Sequence, residues 1–223
     1  MQESIFQTLA AQSDMLSSVW AYLQRGGLFM IPLGLTSIAG VMAIAYKALA
    51  LSRSRIVPVP LARDIEQFQQ YIVADRAEPV IRRFEKGESA LARLAAVVIK
   101  HRGKSRAEIT HAVESAARVE TVHLHAGISV IDTVITIAPL LGLLGTASGL
   151  VTIFEGLGDN SDHLAIAKGI AEALTTTIFG LAIAVPCVIA HGFFIRRIEM
   201  LTARLEALLA DLTAACENPN PTA

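Results

Sequence analysis

The chain has 223 residues, of which 53% are hydrophobic and 17% are charged, and its mean hydropathy is +0.51. Soluble domains average about 45–50% apolar and about 25% charged residues, so this composition excludes an ordinary soluble domain. The formal net charge of −1 gives no support for nucleic-acid binding. Its two cysteines, Cys187 and Cys216, have no metal-ligand spacing. We therefore predict an integral membrane protein without a metal or other cofactor.

Three apolar stretches are long enough to cross a bilayer, whose hydrocarbon core requires about 20 residues of helix. We predict transmembrane helices over residues 27–46, 129–154 and 168–195. The first has no charged residue, the second has Asp132 near its start, and the third contains Glu172. The predicted fold class is an all-α membrane protein with three transmembrane helices, which places the two termini on opposite sides of the membrane.

The distribution of lysine and arginine predicts the orientation of these spans. Residues 1–26 contain one such residue, residues 50–128 contain thirteen, and residues 155–167 contain none. Because basic segments stay on the cytoplasmic side, we expect the N-terminus and the 155–167 link outside, and residues 47–128 and 196–223 in the cytoplasm. A cleaved signal peptide is the competing interpretation of the first stretch. Its positive charge would precede the apolar run, whereas here most of it follows.

The cytoplasmic segment between the first two spans is predicted to be a helical loop followed by a helical stalk. Gly87 and Gly103 interrupt its helical pattern. The predicted loop helices lie near residues 61–72, 75–86 and 88–102.

Ser105 and Glu108 have the spacing of a capping box, in which each side chain accepts from the other residue's backbone N–H. Neither Gly127 nor Pro139 need end a helix in a membrane protein. We therefore predict one continuous helix from Ser105 through the second span to near Phe154, so that helix two extends into the cytoplasm as a stalk.

Helix three is also predicted to continue into the cytoplasm, because large apolar residues follow it at alternating intervals of three and four. These residues are Ile198, Leu201, Leu205, Leu208 and Leu212. Such a seam packs either on the chain's own stalk or on a neighbouring subunit, and the pattern leaves both alternatives open.

Small and polar residues share narrow faces of the second and third spans, where they recur at helical intervals. Faces of this kind favour a lined interior over contact with lipid. The polar set that we assign to this interior is Thr146, Glu172, Thr176 and Thr177. The small set that we assign to close helix packing is Gly142, Gly145, Gly149 and Gly180.

Structural alternatives exist for each polar residue. A membrane threonine often donates to the carbonyl four residues earlier in its own helix. Glu172 can lie near the outer interface, where an ionised group costs little, or it can pair with Lys168 one turn earlier. Asp132 can be an interface residue or a helix partner. The sequence leaves these alternatives open.

No Walker loop, metal-binding cluster or nucleophile elbow is present in the sequence, so we do not expect an enzyme. A chain with three spans offers at most one polar side per helix and cannot enclose a pathway by itself. A ring of identical subunits can enclose one, and closed cyclic symmetry is the usual arrangement.

Two long motifs carry a family resemblance. Residues 138–149 read A-P-L-L-G-L-L-G-T-A-S-G, and residues 169–186 read G-I-A-E-A-L-T-T-T-I-F-G-L-A-I-A-V-P. Both resemble the signature of the MotA/TolQ/ExbB proton-channel family. Three spans with the large loop between the first and the second resemble its ExbB and TolQ branch.

The resemblance implies an inner-membrane motor subunit that forms a homopentamer around the transmembrane helices of an ExbD-like or TolR-like dimer. Proton entry would drive a rearrangement, and force would pass to a TonB-like or TolA-like protein that spans the periplasm. Thr146, Glu172 and Thr177 match polar residues of the family's proton pathway, while the main proton-carrying aspartate belongs to the partner. Ala147 and Ser148 stand where the family often has a hydrophobic residue followed by tryptophan.

The favoured function is therefore an ExbB-like subunit of a proton-driven motor for TonB-dependent transport across the outer membrane. The alternatives are a TolQ-like subunit of the Tol-Pal envelope system and a non-conducting membrane scaffold. A secondary transporter is disfavoured, because the sequence shows neither an inverted repeat nor a pair of broken helices.

Overall fold

A computed structural model describes residues 28–51, 56–156 and 163–217 of the chain. Within these ranges the chain is helical and contains no strand, which confirms the predicted all-α class. The expected N-terminal segment 1–26, the middle of the 155–167 link and the last residues of the tail lie outside the described residues.

The helices follow one another along the chain with short connections. They are α1 (Met30–Ala50), α2 (Val59–Glu66), α3 (Phe68–Val73), α4 (Glu78–Lys86), α5 (Ala90–Lys100), α6 (Arg106–His125), α7 (Ile128–Glu155) and α8 (His163–Cys216). Of these, α1, α7 and α8 are long and apolar enough to span a membrane, in agreement with the three predicted spans. The continuation of α8 to Cys216 agrees with the predicted extension of helix three.

The described residues divide into two compact units. The membrane unit comprises residues 28–44 together with 130–190, and the stalk unit comprises residues 45–129 together with 191–217. The membrane unit contains most of the apolar length of α1, α7 and α8. The stalk unit contains α2 to α6 and the last part of α8.

In the membrane unit, the three long helices pack through small contacts. Met30 and Leu33 of α1 are buried with Ala138 of α7 in one apolar cluster. At Gly40 of α1 an added Cβ would lie only 3.1 Å from the Cys187 Sγ and 3.2 Å from Val134 Cγ1. The outward faces are apolar and exposed, as expected of surfaces that meet lipid. They include Ile31, Ile38, Leu140, Leu143, Ile178, Leu181 and Ile189.

In the stalk unit, the short helices enclose a conventional hydrophobic core. The centres of the Phe68 and Phe84 rings lie 6.0 Å apart, and the ring planes are tilted by 48°. Leu91, Val98 and Ile109 of the same unit are fully buried. Two ion pairs reinforce this core. Arg83 Nη1 lies 2.8 Å from Asp64 Oδ2, and Arg93 donates to both carboxylate oxygens of Glu120 at 2.6 and 2.7 Å.

The apolar seam of α8 packs within its own chain. Its five members, from Ile198 to Leu212, are each at most 5% exposed without any second subunit. Near the end of this segment, the backbone N–H of Gly103 donates to the carbonyl of Cys216 at 3.0 Å. Of the two alternatives for the seam, packing on the chain's own stalk is therefore the one observed.

The predicted continuous helix from Ser105 to Phe154 is wrong. The capping box of Ser105 and Glu108 is confirmed, but α6 ends at His125 and α7 begins at Ile128. Gly127 has φ +82°, a left-handed conformation that glycine adopts without steric cost. Pro139, in contrast, lies inside α7 without ending it.

The break between α6 and α7 is stabilised by a residue from a different helix. Lys47, near the end of α1, is 1% exposed, and its Nζ donates to the carbonyl of Leu124 at 2.5 Å and to that of Ala126 at 2.7 Å. The last carbonyls of a helix have no partner within the helix. Lys47 supplies donors to them, and its positive charge is favourable at a helix C-terminus.

Replacing Lys47 by methionine should destabilise this junction. Methionine keeps most of the apolar length of the side chain but removes the donor to the carbonyls of Leu124, which is buried, and Ala126, whose bond is partly buried. An unsatisfied buried group costs about 1–3 kcal/mol. We expect a lower thermal unfolding temperature in mild detergent and faster amide hydrogen exchange at residues 124–128. The matched control is Lys100→Met, which removes an exposed lysine of α5. Equal stability of the two variants would contradict this role for Lys47.

Candidate functional site

The predicted small residues lie where α7 and α8 approach most closely. A Cβ added at Gly142 would lie 2.9 Å from the carbonyl oxygen of Thr176, and one at Gly180 would lie 2.5 Å from that of Ala138. Gly145 would meet the Thr176 hydroxyl at 2.7 Å, and Gly149 would meet the Cβ of Ala173 at 2.7 Å. The four glycines thus face a helix of the same chain, and this close approach brings the polar residues of α7 and α8 together.

Three of the predicted polar residues form one hydroxyl cluster around the carbonyl of Gly142. This oxygen lies 2.9 Å from the Oγ1 of Thr146, 3.2 Å from that of Thr176 and 3.0 Å from that of Thr177. The hydroxyls of Thr146 and Thr177 also bond to each other across the two helices, and either can be the donor. Thr146 is 9% exposed and Thr176 is 1% exposed.

The hydroxyl cluster offers more acceptors than its three hydrogens can use at one time. Each hydroxyl has one hydrogen, whereas a carbonyl oxygen has two lone pairs. Thr176 can donate to Gly142 or, at 2.8 Å, to the carbonyl of Ala173. Thr146 likewise lies 3.4 Å from that second carbonyl. The cluster therefore has alternative bonding patterns that differ only by rotation of hydroxyl groups.

Other threonines of the spans behave as the structural alternative predicts. Their hydroxyls donate to the carbonyl four residues earlier in the same helix, and the described residues show no bond from them to a second helix. They are Thr36, Thr136, Thr152 and Thr175. Cross-helix bonding thus separates Thr146, Thr176 and Thr177 from this group, a difference that residue type alone does not reveal.

Glu172 lies one turn from the hydroxyl cluster and lines a cavity of about 520 Å³ at the end of the membrane unit where α7 ends and α8 begins. It is half-buried, whereas Lys168 is exposed. Among the described residues no ion pair joins the two, so the pairing considered from their spacing is not formed. Thr176 belongs to the hydroxyl cluster and also lines the cavity. The carboxyl group and the hydroxyls therefore adjoin through Thr176.

Two polar residues of this cavity were not among the predicted site residues. Ser148 and Thr152 of α7 line it together with Glu172. They lie beside the Gly142–Thr146–Gly149 face of α7 rather than on it. That they border the cavity follows from the position of α8, which the sequence does not show. A stripe of Gly145, Ser148 and Thr152, spaced three and four residues apart, is the signal that points to it.

The chemistry available at this site is proton exchange and hydrogen-bond exchange. Within the described residues no group of three His, Cys, Asp or Glu side chains is placed to hold a metal ion. A carboxyl group can bind and release a proton, whereas threonine hydroxyls only donate and accept hydrogen bonds at physiological pH. Asp132 is exposed, and the described residues place it outside both the cavity and the hydroxyl cluster.

The candidate site lies within the part of the chain that is similar to known proteins. The MotA/TolQ/ExbB proton channel family matches residues 77–207, which include every residue of the hydroxyl cluster and Glu172. A putative biopolymer transport protein ExbB homolog of Methanothermobacter thermautotrophicus is 31% identical over 128 residues, covering 57% of this chain and 46% of that protein. An ExbB-like protein of Synechocystis is 32% identical over 171 residues, covering 72% of this chain and 64% of that protein. The Tol-Pal system protein TolQ of Pseudomonas aeruginosa is 38% identical over 98 residues, covering 43% of this chain and 42% of that protein.

Proposed function

The chain belongs to the MotA/TolQ/ExbB proton channel family, in its ExbB/TolQ branch, and on that premise we propose that it is an ExbB-like subunit of a proton-driven motor in the inner membrane. Five copies would form a ring around a dimer of an ExbD-like partner. This assembly would use the proton motive force to drive TonB-dependent transport across the outer membrane through a TonB-like protein.

The observation that carries this proposal is the hydroxyl cluster between α7 and α8, which adjoins the cavity of Glu172. The threonines cannot hold a proton charge themselves, but they can exchange hydrogen bonds with a protonatable side chain of the partner. In this mechanism the chain supplies the polar wall of the path and Glu172 supplies one carboxyl group. The partner supplies the moving carboxylate.

The energy of one proton is sufficient for such exchanges. A unit charge that crosses a potential of 100 mV releases about 2.3 kcal/mol, whereas one hydrogen bond contributes about 0.5–1.5 kcal/mol net. Each proton can therefore drive the replacement of one or a few hydrogen bonds in the hydroxyl cluster. A stepwise motor needs no larger step.

The proposed topology follows the asymmetry of lysine and arginine along the chain. Residues 1–26 and 155–167 would be periplasmic, and the 47–128 loop and stalk and the 196–223 tail would be cytoplasmic. The transmembrane segments would be residues 27–46, 129–154 and 168–195, so the stalk unit would project into the cytoplasm.

A TolQ-like role in the Tol-Pal system is the second candidate, favoured by the 38% identity with the TolQ protein. The ExbB-named proteins of Methanothermobacter thermautotrophicus and Synechocystis align with more of this chain, 57% and 72% against 43%, which is why the ExbB-like role ranks first. Each role has its own test. With its cognate partners, an ExbB-like chain restores TonB-dependent uptake to a strain lacking that system, whereas a TolQ-like chain restores the envelope integrity of a strain lacking Tol-Pal.

Glu172→Ala should abolish energised uptake while the ring and its partner still co-purify, because the variant removes the carboxyl group of the cavity without adding bulk. A matched control is Glu155→Ala, which removes an exposed carboxylate at the end of α7 and should leave uptake unchanged. Uptake of a TonB-dependent substrate and co-purification with the ExbD-like partner are the two measurements. A non-conducting scaffold would tolerate Glu172→Ala.

The same proposal predicts that the purified chain without its partner leaks few protons in liposomes. Rapid proton flux through the chain alone, lost on Glu172→Ala, would show that this subunit is a self-sufficient channel.

A further inference from the structure

We propose that Thr176 is a positioning residue of the hydroxyl cluster: its hydrogen replaces that of Thr177 at the carbonyl of Gly142 when Thr177 donates to the carboxylate of the partner. This inference rests on the proposed function, because it concerns the same exchange of hydrogen bonds with the partner. The family resemblance assigns pathway roles to Thr146, Glu172 and Thr177 and gives none to Thr176.

The side chain of Thr176 is held between α7 and α8. Only 1% of the residue is exposed, and a Cβ added at Gly145 would lie 2.7 Å from its Oγ1 and 3.2 Å from its Cγ2. Gly145 therefore leaves the space that this side chain fills. Because buried polar groups find partners within the protein, an acceptor in the two helices must take the hydrogen of this hydroxyl.

Two carbonyl oxygens lie within reach of the Thr176 hydroxyl. That of Ala173, in the same helix, is 2.8 Å from Oγ1, and that of Gly142, in α7, is 3.2 Å away. Both distances are measured from one position of Oγ1, so rotation of the hydroxyl hydrogen alone changes the acceptor. The shorter distance favours Ala173 as the acceptor in the chain without its partner.

The carbonyl of Gly142 cannot accept all three hydroxyls of the cluster at once. Since it lies inside α7, one of its two lone pairs receives the backbone N–H of the residue four positions later. The other lone pair is left for the three hydroxyls. While Thr176 donates to Ala173, the hydrogens of Thr146 and Thr177 are both used inside the cluster. One makes the bond to the Gly142 carbonyl and the other makes the bond between the two hydroxyls.

Donation from Thr176 to Gly142 releases one of these two hydrogens. Thr146 then donates to Thr177, and the hydrogen of Thr177 is free to donate to a group outside the cluster. Two bonds across the helices remain in this pattern, one to the carbonyl of Gly142 and one between the other two hydroxyls. Thr177 is half-buried, whereas Thr146 and Thr176 are buried, so Thr177 is the member that a side chain of the partner can approach.

Loss of the Thr176 hydroxyl makes this release more costly. Once Thr177 turns its hydrogen to the partner, the single hydrogen of Thr146 cannot serve both the carbonyl of Gly142 and the other hydroxyl. One hydrogen bond is then missing in each such exchange. A bond of this kind corresponds to about a 2- to 13-fold change in rate, so Thr176→Ala should lower energised uptake and partner-dependent proton flux by that factor.

Alanine and serine at position 176 test the proposal, because these two variants differ by one oxygen atom. The full chain is produced with its partner, and uptake is normalised to the amount of co-purified complex. Thr176→Ala should show the loss, whereas Thr176→Ser keeps the donor and should restore most of the parent rate. The matched control is Thr175→Ala, which removes a hydroxyl that donates to the carbonyl of Ala171 in its own helix at 2.8 Å. This control should leave uptake unchanged.

A combined variant shows whether Thr176 acts through the Thr177 hydroxyl. Thr177→Val removes the hydrogen that Thr176 replaces, so adding Thr176→Ala to it should lower the remaining uptake and proton flux no further. A residue with a purely structural role would lower both by the same factor in the parent and in Thr177→Val.

Full uptake with Thr176→Ala, equal losses with alanine and serine, or an undiminished further loss in the combined variant would each overturn the positioning role. Equal losses would mean that packing of the methyl group, rather than the hydroxyl, is what the site requires. If Thr176→Ala does not assemble, Thr176→Cys takes its place, because a thiol fills the site but is a weak donor. Its comparison with serine has the same two outcomes.

The same measurements separate the positioning role from the proposed function. If Thr177→Val and Glu172→Ala lose uptake while Thr176→Ala keeps it, the positioning role is wrong and the proposed function stands. If all three variants keep full uptake, the proposed function is wrong and the positioning role fails with it.

Discussion

Replacing Thr146 and Thr177 together by valine is expected to reduce energised uptake by at least about fivefold while the ring still assembles with its partner. Valine has nearly the shape of threonine but lacks the hydroxyl, so the double variant keeps the packing of α7 against α8. It removes the bond between Thr146 and Thr177 and the bond from Thr177 to the carbonyl of Gly142. Two hydrogen bonds at about 0.5–1.5 kcal/mol each correspond to about a 5- to 150-fold change in rate, since 1.36 kcal/mol is tenfold.

The chain itself offers matched controls for this experiment. Thr136→Val and Thr175→Val make the same chemical change at hydroxyls that donate only within their own helix. Both controls should retain uptake. Uptake and co-purification are measured for all variants, and the mechanism is wrong if the double variant transports normally or if the controls lose as much activity as it does.

Gly180→Ala is expected to disrupt the packing of α7 on α8. The added Cβ would lie 2.5 Å from the carbonyl oxygen of Ala138, a backbone atom that cannot move aside alone. Overpacking of this kind costs about 1–3 kcal/mol, which we expect to lower the thermal unfolding temperature of the purified chain. The larger Gly180→Leu should prevent the two helices from packing and greatly reduce the amount of assembled protein.

Gly192 provides the control with the opposite expectation. It lies in the same helix, and an added Cβ would meet nothing within 4 Å. Alanine is favoured over glycine inside a helix by about 0.5–1 kcal/mol, so Gly192→Ala should leave stability unchanged or raise it. The sign of the effect, rather than its size alone, distinguishes close helix contact from helix propensity. Equal effects of the two alanine variants would contradict the packing role of Gly180.

Much of the fold is readable from local patterns. Apolar length predicts α1, α7 and α8, the spacing of Ser105 and Glu108 predicts the start of α6, and the alternating seam predicts the extension of α8. The break at Gly127 is not readable in this way, because glycine is tolerated within membrane helices. At this break the carbonyls of Leu124 and Ala126 accept hydrogen bonds from Lys47, which lies far away in the sequence.

The candidate site also has features that local sequence patterns predict and features that depend on how the helices pack. Helical periodicity places Thr146 with Gly142 on one face of α7, and Thr176 near Glu172 on α8. Periodicity does not say which helix faces which, and the small residues suit contact between subunits as well as contact within a chain. The bonds from Thr176 and Thr177 to the carbonyl of Gly142 follow only from the register of α7 against α8.

Lys47 also sets an order of events during biosynthesis. The carbonyl of Leu124 that accepts its ammonium group lies 77 residues later in the chain. At the usual elongation rate of about 5–20 residues per second, that carbonyl is made roughly 4–15 s after the lysine. During this interval the first helix can enter the bilayer, but its lysine must remain hydrated at the membrane surface. The junction between α6 and α7 is therefore completed late. A newly made chain whose synthesis stops before this junction has an exposed lysine at the end of its first transmembrane helix.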